Sequence, residues 1–108
     1  MVIPSAKYKK FEKDCKDWLP KMDEPINDPV NVACLYYMPT RRRVDLVNLQ
    51  EATLDILVKY GILEDDNSNI VVSMDGSRVL YDKDNPRSEI IITPIIVGYI
   101  PDYETIGE

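Results

Sequence analysis

The sequence predicts an α+β domain, a small mixed β-sheet of three to four strands packed with two helices. Three observations carry that expectation. Between Val30 and Met38, the residues Val30, Val32, Cys34, Tyr36 and Met38 alternate with Asn31, Ala33, Leu35 and Tyr37, the period of a strand. Between Leu46 and Tyr60, the residues Leu49, Ala52, Thr53, Ile56, Leu57 and Tyr60 recur at three- and four-residue spacing, the period of a helix. Between Glu89 and Ile96 the chain is strongly β-branched, with Pro94 marking an edge or a bulge. The 108 residues are expected to form a single domain, 1–108.

The remaining elements fall around these three. Ser5 suits the N-cap of a first helix from about Ala6 to Leu19, whose buried stripe would be Tyr8, Phe11, Cys15 and Leu19. Pro20 stops it, and Lys21 to Pro29 is a proline-punctuated acidic loop. Pro39 and Thr40 close the strand that begins at Val30. Asp45 is the natural N-cap of the central helix, and Gly61 suits a left-handed C-cap. Ile70 to Ser73 reads as a second strand and Asp75-Gly76-Ser77 as a turn. Arg78 to Tyr81 reads as a strand extension or an arm, and Asp82 to Pro86 as polar loop. No repeat or low-complexity segment interrupts this order.

Composition narrows the function classes. Hydrophobic residues make up 44% and charged residues 30% of the chain, ordinary for a globular protein. No apolar run reaches the ~20 residues of a membrane span, and the first residues lack the order of a signal peptide. A cytoplasmic protein without membrane contact is expected. Histidine is absent, which removes histidine-based triads and the usual zinc sites. Cys15 and Cys34, far apart and outside any CxxC, are most simply free thiols. The net charge of −6 argues against a protein that coats nucleic acid nonspecifically, yet the basic residues are segregated. Five lysines lie between Lys7 and Lys16, an ordinary solvated helix face, and Arg41, Arg42 and Arg43 form a second cluster.

That second cluster runs straight into acidic chemistry. At about 100° per residue, Asn48, Glu51 and Asp55 lie within roughly 60° of one another on the central helix. Asp45 stands at the same helix's start, and Asp65 and Asp66 follow its end by a short loop. Carboxylates from two segments could thus converge on a divalent cation, which takes hard oxygen ligands, while the arginines offer forked hydrogen bonds to phosphate. The same residues also read as an N-cap, a wet helix face and a polar turn.

The run of Arg41-Arg42-Arg43, Asp45, Asn48-Leu49, Ala52, Asp55-Ile56-Leu57, Gly61 and Asp65-Asp66 resembles the RusA family of Holliday junction resolvases of bacteria, phages and prophages. The resemblance extends over roughly Val30 to Ile96. It implies a magnesium-dependent endodeoxyribonuclease, with manganese as a substitute, that cuts branched DNA as a homodimer in recombination and repair. It places catalytic roles on Asp45 and Asp66. Metal ligation would fall to Asp45, Asp66 and Asp65, with Glu51 and Asp55 as further ligands. DNA contact would fall to Arg41, Arg42, Arg43, Asn48 and Lys59. Two positions depart from the family pattern: Val47 stands where a second aspartate is expected, and Glu51 where a lysine is. A chain that begins at its first helix, without the family's N-terminal strand, is a third expected departure. The alternative is a RusA-like module that binds branched DNA or a protein without cutting.

Overall fold

A computed structural model describes residues 19–95 and, as backbone, residues 2–4. The predicted first helix, its lysines, Cys15 and the C-terminal tail lie outside the described residues. Five strand segments and one helix follow in order: β1 (Val2–Pro4), β2 (Val30–Met38), α1 (Leu46–Lys59), β3 (Val71–Ser73), β4 (Arg78–Tyr81) and β5 (Arg87–Pro94). The sheet order is β1-β5-β2, and β3 and β4 share the far side of β2. The sheet is mixed: β5 is antiparallel to both β1 and β2, while β3 and β4 run parallel to β2.

β2 is central because its alternation gives it one dry side. Val30, Val32, Cys34 and Tyr36 are buried, while Asn31, Ala33, Leu35 and Tyr37 are half-buried on the opposite face. Against the dry side pack Thr53, Ile56 and Leu57 of α1, together with Ile62, Leu63, Ile70, Ile90 and Leu19. Full burial of one such leucine or isoleucine contributes roughly 1.5–3 kcal/mol. α1 is oriented by a polar contact inside this core. The Thr53 hydroxyl donates to the Leu49 carbonyl at 2.8 Å and lies 2.6 Å from the Tyr36 hydroxyl, itself 3.0 Å from that carbonyl. Burial pushes the Tyr36 phenol and the free Cys34 thiol above their ordinary ranges, so both stay protonated at neutral pH.

α1 begins and ends as its caps dictate. Asp45 Oδ1 accepts the backbone N–H groups of Val47 at 3.0 Å and Asn48 at 3.4 Å. Tyr60 is the C-cap, and Gly61 takes φ +77°, a conformation open to glycine at little cost. The chain then pairs with a segment upstream of β2. Ile26 donates to Ile62 O and accepts from Glu64 N, each at 2.9 Å.

The side of β2 away from β5 is covered in two pieces, and side chains bridge the gap. β3 meets Val30 and Asn31, and β4 meets Leu35 to Met38. Between them the Asn31 amide binds Ser73 Oγ, Asp75 N and Asp75 O, and Ser77 Oγ accepts the Cys34 N–H at 3.0 Å. The sharp turn at Gly76, φ +89°, makes this return possible.

Two expectations about strands are corrected. The chain does have an N-terminal strand, since β1 pairs Val2 to Pro4 with Glu89 to Arg87. Of the two readings of Arg78 to Tyr81, the strand is the one observed. β5 begins at Arg87, two residues before the expected Glu89, because Arg87 and Ser88 still pair with Tyr37 and Tyr36. Tyr36 and Ile90 are 2% and 1% exposed, inside the protomer's own core, so neither offers a surface to a second copy.

Candidate functional site

The sequence-predicted site residues divide between the two ends of α1. At its N-terminal end, Thr40 Oγ1 accepts the Arg42 amide, and Arg41, Arg42 and Arg43 are exposed. None of the three forms an ion pair with a described residue. The guanidinium of Arg41 lies 4.3 Å from the centroid of the Tyr81 ring. Asp45 uses one carboxylate oxygen for the helix cap, leaving Oδ2 open among the described residues. Asn48, Glu51 and Asp55 are exposed along the helix. Val47, where the family pattern has a carboxylate, is 58% exposed and offers no ligand atom.

At the other end, Lys59 stands in the last turn with Nζ 5.6 Å from the Tyr60 ring centroid. Asp65 and Asp66 follow on the turn that leads to β3. Asp65 is committed locally: Oδ1 accepts the Asp66 N–H at 2.8 Å and Oδ2 accepts the Asn67 side-chain N–H at 3.0 Å. The Asp66 N–H, then the Asn67 amide, hold its carboxyl below the usual range. Asp66 itself is exposed. Beside it lies an open depression of about 460 Å³ lined by Asn27, Glu64, Asp65, Asn67, Asn69 and Ile70.

The helix itself separates the two ends. The 14 residues of α1 span roughly 21 Å at 1.5 Å per residue. After Gly61 the backbone of Ile62 and Glu64 is held by Ile26. Among the described residues, no three aspartates, glutamates or cysteines gather closely enough to hold a metal. The expected gathering of Asp45, Glu51 or Asp55, and Asp66 into one three-carboxylate site is thus not found among the described residues of a single protomer. Asp65 is a turn residue, and Glu51 and Asp55 line a solvated helix face.

Tyr81 is a residue that the sequence reading missed. Nothing in its local pattern separates it from other strand tyrosines, and its partner Arg41 is distant in sequence. A second arginine–tyrosine stack supplies a contrast. Arg87 lies 3.8 Å from the Tyr37 ring centroid and donates to Asp82 at 2.8 Å, Glu89 at 3.0 Å and Asn85 O at 2.9 Å. Its charge is neutralised in place. The guanidinium bond, then the Asn85 N–H, hold the Asp82 carboxyl below its usual range.

No helix among the described residues is long and apolar enough to cross a membrane. Comparison with known proteins adds a family. The family model for endodeoxyribonuclease RusA matches residues 1–93, most of the chain and both ends of α1. No curated protein matches the chain.

Proposed function

Because the chain belongs to the RusA endodeoxyribonuclease family, we propose that it is a magnesium-dependent, homodimeric endonuclease that resolves four-way DNA junctions in the cytoplasm. The observation that carries this reading is the N-terminal end of α1. There an open oxygen of Asp45 stands beside three arginines engaged in no ion pair with a described residue. Arginines bind phosphate in forked geometry, and carboxylate oxygens bind magnesium at ~2.1 Å, with manganese as a substitute. When bound, such an ion polarises a phosphoryl oxygen and lowers the pKa of a bound water. Asp45 and Asp66 serve as ligands. Asn48 and Lys59 extend the DNA-contacting surface from the arginines along α1.

The helix length between Asp45 and Asp66 decides how they could act together. A second copy with its α1 antiparallel to the first would set Asp45 of one protomer beside the C-terminal end of the other's α1, where Asp66 lies. Two-fold symmetry would then create two equivalent sites, which suits a substrate that needs two symmetric cuts.

Mixing two inactive variants tests this. Asp45→Asn and Asp66→Asn should each abolish magnesium-dependent cleavage of a synthetic four-way junction, and EDTA should abolish it in the native protein. After co-refolding, the heterodimer carries one site with both carboxylates intact, so nicking activity should return. A mixture that stays inactive while each variant still binds the junction would overturn the shared site. Native protein that binds junctions but cleaves none would favour the second reading, a DNA-structure-binding module. The exposed Val47 and the unclustered carboxylates of one chain support that alternative.

A further inference from the structure

We infer that Tyr81 is a positioning residue for DNA binding: its ring holds the Arg41 guanidinium in place for a backbone phosphate. The inference rests on the nucleic-acid reading above and adds a residue that the arginine cluster alone does not reveal. Both aromatic–guanidinium stacks among the described residues fix an arginine against a tyrosine of the sheet, but they differ in one respect. Arg87 on Tyr37 is closed off by Asp82 and Glu89, so its charge is used within the fold. Arg41 on Tyr81 has no carboxylate partner among the described residues and is exposed, so no described acid uses its charge within the fold.

The platform is itself well anchored. β4 is held to β2 by the register Tyr81 to Met38, and the next amide, Asp82 N, donates to Met38 O at 2.9 Å. Tyr81 is 41% exposed, so the stack sits at the surface beside Arg42 and Arg43 and four residues before Asp45. A free arginine loses side-chain freedom when it binds phosphate. One already resting on a ring loses less, and its planar fork is left free for two phosphate oxygens. Arg42 and Arg43 stack on no described ring, so Arg41 is the preorganised member of the three.

A double-mutant cycle on DNA affinity, measured without divalent metal, tests the inference. A labelled four-way junction and a linear duplex of equal length are the probes. Arg41→Ala should weaken binding and reduce the slope of log affinity against log salt by about 0.9, the share of one phosphate contact. Tyr81→Ala should weaken binding about two- to fivefold, the worth of an exposed cation–π contact. Tyr81→Phe should restore it, because the ring face is what matters. In the Arg41→Ala background, Tyr81→Ala should change nothing further. Should Tyr81→Ala lower the melting temperature, Tyr81→Leu, which keeps apolar bulk in β4 without a ring, should show the same loss. An equal loss from Tyr81→Ala with and without Arg41, or no loss at all, would overturn the inference. Equal affinity for duplex and junction would count against junction recognition alone, and the cycle on duplex would still decide the role of Tyr81. Absence of binding to both DNAs would overturn both.

Discussion

Asp45 Oδ1 is committed to the amides of Val47 and Asn48, so substitutions at this residue should separate stability from chemistry. Asparagine caps a helix about as well as aspartate but is a poor magnesium ligand. Asp45→Asn should therefore melt within about a degree of the native protein and cleave no junction. Asp45→Ala should lose the cap as well, at about 1 kcal/mol, and melt several degrees lower. Thermal melts beside a cleavage assay would check both. A large loss of stability in the asparagine variant would mean that the carboxylate charge itself holds the fold. This double character explains what was legible in advance at the residue scale. The capping role of Asp45 is local, set by the amides two and three positions on, and reads directly from sequence. The position of Asp66 is not local. It depends on Ile26 taking the backbone of Ile62 and Glu64, a pairing across nearly 40 residues that no spacing within Asp45 to Asp66 encodes.

At the scale of elements, β2 and α1 follow their periodicity almost residue for residue, because each has one buried side and a cap or proline at its ends. Elements whose reason lies in a neighbour were harder to read. β1 has only three residues and no pattern of its own; it exists as a strand because β5 offers it a ladder. β5 starts early because Arg87 finds Tyr37, Asp82 and Glu89, and a polar residue with that many partners can occupy a strand. The gap between β3 and β4 depends on Ser77, whose hydroxyl takes the Cys34 amide in place of a strand carbonyl. Ser77→Ala should leave that N–H unpaired against the core and cost about 1–3 kcal/mol. Urea unfolding would measure it. A cost near zero would mean that water reaches the gap and satisfies Cys34 without help.

At the scale of the molecule, the site proposed for cleavage is incomplete in one chain, so assembly and activity should rise together with concentration. Sedimentation equilibrium should give a dimer at low micromolar concentration, and cleavage per protomer should fall on dilution through the same range. A monomer that cleaves at full rate would eliminate the shared site. Among the described residues the most exposed large apolar side chains are Val47, Val72 and Ile91, each about half exposed or more. Val47 lies one turn from Glu51 on α1, and substituting it with aspartate would report whether that turn faces metal or partner.

The broken cover on β2 has a consequence for how the protein behaves when crowded. A sheet margin with a long row of unpaired amides and carbonyls is a template on which further chains can add, and the product is fibre or precipitate. Here one lateral margin is made of β1, three residues long, and of Ile90 to Pro94 of β5, which no described strand covers on that side. The other is interrupted by the Asn31–Ser73–Asp75 and Ser77 contacts into runs of three and four residues, with Arg78 at the start of the longer one. Among the described residues, this second margin presents no continuous rail on which a stranger's strand could zip. The turn at Gly76 thus acts as a stop against open-ended polymerisation on that side.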